Sequence, residues 1–198
     1  MTKVKLCGLT RREDIAVVNE LMPDFIGFVF AQKSKRYITP NDAAALKNIL
    51  HKKISAVGVF VNADIKAVAE ISNFIDVIQL HGAEDEDYIS ALRTLIKKPL
   101  IKAFKIQTAA DLQPAENCSA DYVLLDGGAG DGKTFEWQLL KNFNRPYFLA
   151  GGLNAENVQD AIKILNPYAV DVSSGIETDG IKDAAKMKKF VQRVREGS

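Results

Sequence analysis

The chain has 198 residues, 47% of them hydrophobic, and a formal net charge of +1. That length is ample for one cored domain, since a chain of about 150 residues already buries some 70% of its surface. The near-zero charge builds in no bulk attraction to nucleic acid or to a membrane surface, and no apolar run approaches the ~18–20 residues of a membrane span.

In chain order, Val4–Cys7 is the first short apolar run that reads as a strand. Thr10, with Glu13 three residues on, predicts a capping box that opens a first helix. Phe25–Phe30 reads as the second strand. Thr39 ahead of Pro40 predicts the next helix start, with Ala44, Leu46, Ile49 and Leu50 on one helical face. Ile54–Val61 reads as a strand followed by a helix over Asp64–Ile71, and Ile75–Leu80 as a strand followed by a helix over Asp85–Ile96. Leu100–Phe104 and Tyr122–Leu125 are the fifth and sixth strands, and the segments behind them, Gln107–Pro114 and Phe135–Asn142, predict only short helical pieces. Tyr147–Ala150 is the seventh, with a helix expected from Ala155 to Leu165 behind Asn154. Ala169–Val172 is the eighth, with a last helix over Asp183–Val194.

Each strand run is continuously apolar rather than alternating, which suits a parallel strand covered on both faces. The runs recur roughly every 20–30 residues, room for a strand, a helix and two short loops. Alternating β and α predicts a parallel sheet, and eight units predict its closure into an α/β fold, a single (β/α)8 TIM barrel over residues 1–198 at the lower end of that fold's size. A doubly wound open sheet is the rival that periodicity does not separate. There is no linker, low-complexity tract or second domain in the pattern. The N-terminal residues lack the apolar core of a signal peptide, and Cys7 and Cys118 make no disulfide framework, so a cytoplasmic location is expected.

Such barrels carry their chemistry at the C-terminal ends of the strands. Those ends hold Cys7-Gly8, the Ser34-Lys35-Arg36 loop, His81-Gly82, Asp126-Gly127, Gly151-Gly152 and Ser173-Ser174-Gly175, whereas the strand starts are bland. Gly151 and Gly152 can bring bare backbone N–H groups to an anion, and Ser173, Ser174 and Gly175 add hydroxyls and a short helix start. Together these five residues predict a phosphate site; the bland alternative is a pair of tight turns. Residues Gly127–Thr134 also satisfy the G-x-x-x-x-G-K-[ST] nucleotide-binding pattern. A short following helix, Asp131 inside the would-be phosphate cradle and five preceding βα units argue against that reading, leaving a Gly-rich loop over the barrel mouth.

Cys7 and Asp126 end strands one and six and would meet at that mouth. A thiolate, favoured by cations such as Lys5 or Arg36, can abstract a proton from carbon, and a partly buried carboxylic acid can protonate a sugar oxygen. Singly, Cys7 has a small core residue as its alternative and Asp126 a loop cap. His81 is a further pocket candidate, His51 reads as surface and Cys118 as incidental. Two dispersed histidines give no metal-ligand spacing.

Taken together, Val4-Lys5-Leu6-Cys7-Gly8-Leu9-Thr10, Gly27-Phe28-Val29-Phe30, Ser34-Lys35-Arg36-Tyr37, Gln79-Leu80-His81-Gly82, Leu124-Leu125-Asp126, Gly128-Ala129-Gly130, Leu149-Ala150-Gly151-Gly152-Leu153 and Asp171-Val172-Ser173-Ser174-Gly175-Ile176-Glu177 resemble the phosphoribosylanthranilate isomerase family along essentially the whole chain. The resemblance implies an isomerase of tryptophan biosynthesis, acting on a phosphorylated sugar–anthranilate by an Amadori rearrangement. It implies Asp126 as general acid, Cys7 as general base, Arg36 on the anthranilate carboxylate and Asp171 on sugar hydroxyls. It implies no cofactor, no metal and no obligate protein, membrane or nucleic-acid partner. Leu9 and Ala129 are mild departures within the motifs. The alternatives are another phosphosugar barrel, like indole-glycerol-phosphate synthase or a histidine-pathway isomerase, and a non-catalytic phosphosugar-binding barrel.

Overall fold

The computed structural model describes residues 1–127 and 137–197. Eight parallel strands close into a barrel, each hydrogen-bonded to the next, and the first pairs with the last. The strands are β1 (Lys3–Cys7), β2 (Phe25–Val29), β3 (Ser55–Phe60), β4 (Val77–Leu80), β5 (Leu100–Lys105), β6 (Tyr122–Asp126), β7 (Tyr147–Ala150) and β8 (Ala169–Val172). The open-sheet rival is thereby excluded. The helices wrapped around it are α1 (Arg12–Leu21), α2 (Pro40–Ile49), α3 (Ile65–Ile71), α4 (Glu86–Leu95), α5 (Leu112–Asn117), α6 (Val158–Leu165) and α7 (Ala184–Gly197).

The helix starts follow local chemistry. Thr39, Asp64 and Asp85 each accept a backbone N–H of the first turn behind them, and of these Thr39 is the cap that the sequence singles out as a helix start. Two starts differ. At α1 the cap is Arg11, and the Asp14 carboxylate, not Glu13, reaches back to the backbone N–H groups of Thr10 and Arg11. Asn154 caps a single turn, accepting from Glu156 and Asn157, and α6 proper begins only at Val158. Strand ends also shorten: Ile54 and Ile75 fall outside the ladders because burial extends beyond pairing, and the half-buried Phe30 and exposed Val61 lie past the last paired residues of β2 and β3. As expected, the piece behind β5 is short, a 3₁₀ turn (Ala109–Asp111) with the six residues of α5, and among the described residues the segment behind β6 holds a 3₁₀ turn (Trp137–Leu140). The G-x-x-x-x-G-K-[ST] match and Gly128-Ala129-Gly130 lie outside the described residues.

Side chains on a strand alternate, so residues two apart share a direction. Leu6, Ile26, Ile78, Leu125 and Val170 join the layer between barrel and helices. Val57, Ile101, Leu124, Phe148 and Ala169 pack with Cys7 in the barrel interior. This two-sided burial is why the strand runs are continuously apolar. Past β8 the chain makes a 3₁₀ turn (Ser174–Ile176) and a small antiparallel hairpin, β9 (Glu177–Thr178) and β10 (Ile181–Lys182), before α7. No helix among the described residues is long and apolar enough to cross a membrane.

Candidate active site

The interior direction of the strands also carries the polar groups. Cys7 of β1 shares it with Lys5, Gln79 of β4 with Val77, Asp126 of β6 with Leu124, and Asp171 of β8 with Ala169. At the C-terminal end of the barrel Cys7, Gln79, Asp126 and Asp171 line one cavity of about 380 Å³. Arg36, His81, Gly151, Gly152, Ser173 and Ser174 line the same cavity. The structure therefore brings together all the sequence-predicted site residues except Gly175. Gly175 sits behind the wall, where a Cβ would lie 2.0 Å from the Leu153 carbonyl oxygen.

Cys7 owes its position to a missing side chain. A Cβ on Gly27, its register partner in β2, would lie 2.5 Å from the thiol sulfur. Beneath the thiol is Lys5, fully buried, which donates to Asp171 Oδ2 at 2.8 Å. Burial pushes Lys5 down, yet the charges of Asp171 and Cys7 carry it above the ordinary ammonium value, so it stays protonated. Cys7 itself stands above the ordinary thiol value: burial raises it, and the attraction of Lys5 and Lys182 offsets this only in part. Here the sequence expectation of a cation-lowered thiol is corrected. The cations are present, but desolvation of the thiolate is the larger effect.

Asp126, at the end of β6, faces His81 across 3.6 Å between Oδ2 and Nε2. Gln79 Nε2 lies 2.9 Å from His81 Nδ1. With Gln79 donating there, the neutral imidazole carries its proton on Nε2, toward Asp126. Gly151, at φ +93°, lets β7 turn beside this carboxylate, since a Cβ would lie 2.7 Å from Asp126 Oδ1. Gly152 is also left-handed, at φ +66°. Two buried acceptors in the cavity wall, Gln79 Oε1 and Asp171 Oδ1, have no hydrogen-bond partner among the described residues. Such groups are costly unless a ligand or solvent satisfies them.

Arg36 is held by Glu177, which accepts from Nε at 2.6 Å and from Nη2 at 2.7 Å. Ser173 donates its hydroxyl to the Cys7 carbonyl oxygen at 3.1 Å and receives Lys182 Nζ at 3.3 Å. Its hydroxyl is thus tied to β1 as well as to the cavity. Sequence reasoning assigned no role to Gln79, Gly27, Glu177 or Lys182. Gln79 had a signal, a polar residue at interior parity in an apolar strand; Lys182 had none, because only the hairpin fold-back brings it here. Cys118 is buried and accepts from the Ala120 N–H, so it is a structural thiol. No group of three or more His, Cys, Asp or Glu among the described residues is placed to hold a metal ion.

Residues 4–193 match the family model described as N-(5'phosphoribosyl)anthranilate (PRA) isomerase. An N-(5'-phosphoribosyl)anthranilate isomerase of Thermoanaerobacter sp. (strain X514) is 47% identical over 204 residues, covering 98% of each chain. Among solved structures, phosphoribosyl anthranilate isomerase from Thermotoga maritima superposes with a TM-score of 0.92 at 37% identity, over 99% of this chain and 100% of that one. A phosphoribosyl anthranilate isomerase in complex with reduced 1-(o-carboxyphenylamino)-1-deoxyribulose 5-phosphate gives a TM-score of 0.89 at 36% identity, over 99% and 100% of the two chains.

Proposed function

The chain belongs to the N-(5'-phosphoribosyl)anthranilate isomerase family, and we propose that Cys7 and Asp126 are the base and acid of the Amadori rearrangement it catalyses in tryptophan biosynthesis. The observation that supports the pairing is that both residues, from strands far apart around the barrel, line a single cavity, and which is acid and which is base is what the family resemblance implies. Asp126 gives its proton to the ribose ring oxygen as the C1–O bond breaks, and the anthranilate nitrogen lone pair closes a Schiff base. Cys7 as thiolate then takes the proton from C2, giving an enolamine. Protonation at C1 and loss of the hydroxyl proton at C2 leave the ketone, 1-(2-carboxyphenylamino)-1-deoxyribulose 5-phosphate. No outside oxidant or cofactor enters this balance.

The unpartnered Asp171 Oδ1 and Gln79 Oε1 are suited to accept sugar hydroxyls, and Lys5, bonded to Asp171 Oδ2, fixes that carboxylate in place for the task. The backbone at Gly151 and Gly152, with Ser174 and Gly175, is the proposed cradle for the 5'-phosphate, Ser173 buttressing it from the side of β1. Arg36 presents its guanidinium to the anthranilate carboxylate, a planar acceptor that a fork of N–H groups fits.

Turnover of freshly prepared N-(5-phosphoribosyl)anthranilate, followed by fluorescence, tests the assignment. Cys7→Ser and Asp126→Asn are each expected to lose at least ~100-fold in kcat. In the wild type, kcat/KM is expected to climb through the alkaline range, because a buried thiol ionises above its ordinary value. Robust turnover by both variants removes the acid–base assignment.

A further inference from the structure

Glu177 is the first residue of the hairpin behind β8 and lies outside the cavity wall. Its carboxylate is nevertheless committed on two sides. Arg36 donates to it through Nε and Nη2, one bond to each oxygen, at 2.6 and 2.7 Å. Lys182, its register partner across the hairpin, donates to Oε1 at 2.5 Å. Lys182 also donates to the Ser173 carbonyl oxygen at 2.9 Å, and Ser173 reaches the carbonyl oxygen of Cys7. A continuous polar chain therefore runs from Arg36 through the hairpin to the base strand.

We propose that Glu177 is a positioning residue for recognition of the substrate carboxylate, acting through Arg36 and itself fixed by Lys182. The inference rests on the reading of Arg36 given above. A two-point bond to Nε and Nη2 fixes the plane of a guanidinium and leaves both Nη1 hydrogens, with the second on Nη2, to donate elsewhere. Nη1 donates to none of the described residues, and Arg36 lines the cavity. The stem is held as well: it crosses the bare backbone of Gly8, at φ +80°, where a Cβ would lie 2.5 Å from Arg36 Cδ. Stem and head are both set before substrate arrives, which lowers the ordering cost of binding.

The charges are arranged to the same end. A carboxylate paired with Arg36 alone would neutralise the guanidinium that must attract a second carboxylate. Lys182 offsets Glu177, so the trio keeps a net positive charge, and Arg36 is the member of it that lines the cavity. Burial pushes the Glu177 carboxyl up, but its bonds to Arg36 and Lys182 outweigh this and hold it ionised. Glu177 touches no reacting atom in this arrangement, so its loss is expected in binding and in discrimination rather than in the chemical step.

The experiment compares N-(5-phosphoribosyl)anthranilate with the N-(5-phosphoribosyl)aniline analogue that lacks the carboxylate, in wild type, Arg36→Ala, Glu177→Gln and the double variant. Glu177→Gln is expected to raise KM for the carboxylated substrate roughly tenfold with kcat little changed, and to leave kcat/KM for the analogue as in wild type. In the Arg36→Ala background it is expected to add nothing. Equal loss on both substrates, or a fully additive loss in the double variant, overturns the proposal. The Arg36 reading fails separately, if Arg36→Ala leaves the preference for the carboxylated substrate intact. Should Glu177→Gln not fold with Lys182 unpaired, Glu177→Asp keeps a charge beside Lys182 but shortens the reach to Arg36, and it carries the same expectations.

Discussion

At the N-terminal end of the barrel, Asp24, Asp76 and Asp121 each accept a backbone N–H from the neighbouring strand, that of Val4 at 2.9 Å, Ala56 at 2.7 Å and Leu100 at 2.8 Å. At the C-terminal end, Asp171 and Gln79 each keep a buried oxygen without a partner among the described residues. The floor between those aspartates is filled by rings: Phe148 lies 5.3 Å from Phe25, 5.8 Å from Tyr122 and 5.6 Å from Tyr168, with Lys3 over the Tyr168 ring. The mouth is a cavity walled by glycines and charged groups. Polar side chains stand at both ends, but at the floor their hydrogen bonds are used up by the fold, and at the mouth some remain for a ligand. The division makes the floor a seat of stability and the mouth a seat of function.

The largest test breaks the floor. Phe148→Ala removes the ring on which three others pack, and a buried aromatic truncated to alanine costs about 3–5 kcal/mol. Denaturant melts are expected to show that loss, while kcat of the folded enzyme stays within a few-fold of wild type. A collapse of kcat at full foldedness would mean that the floor transmits to the mouth. A smaller loss, of the opposite kind, is expected from Gly27→Ala. The new methyl would lie 2.5 Å from the Cys7 sulfur, and a displacement of about 1 Å at a reacting group costs roughly 100-fold in rate. Stability is expected to fall by only about 1–3 kcal/mol, the usual cost of one extra methyl in a packed site. Unchanged kcat in Gly27→Ala would show that the thiol position is not critical.

The contrast between the two ends also explains what was legible in the sequence. Strand placement follows from burial on both faces, which writes itself as continuous apolar runs, so eight strands could be read directly, whereas their closure into one barrel needed the pairing itself. Cys7, Asp126 and the paired glycines stood out because each is a chemically unusual residue closing such a run. Helix starts depend on single side-chain bonds, and Asp14 shows the limit: Thr10 and Glu13 have the right spacing, yet the carboxylate one residue further on makes the bonds. The bland reading of the strand starts missed Asp24, Asp76 and Asp121 for a similar reason. Each serves a strand about 20 residues behind it, and no local pattern records that partner. Ionisation was least legible of all, since Lys5 beside Cys7 predicts a lowered thiol until the burial of both groups is known.

The smallest expected effect sharpens the comparison most, because its sign is unusual. Gln79 is buried at the mouth with Oε1 unpartnered, while its Nε2 is bonded to His81 Nδ1. Replacing it by leucine deletes the orphaned oxygen, and water can take over the bond to the half-exposed His81 ring. A buried polar group without a partner is destabilising, and an apolar group of similar shape in its place is close to neutral or better. Gln79→Leu is therefore expected to hold or raise the melting temperature, by no more than the ~2–4 °C that about 1 kcal/mol gives in a chain of this size. The same change is expected to raise KM several-fold, since the oxygen it removes is one that a sugar hydroxyl would fill. A loss of more than about 1 kcal/mol in stability with unchanged kinetics would place Gln79 with Asp24, Asp76 and Asp121, among the groups whose bonding the fold itself consumes.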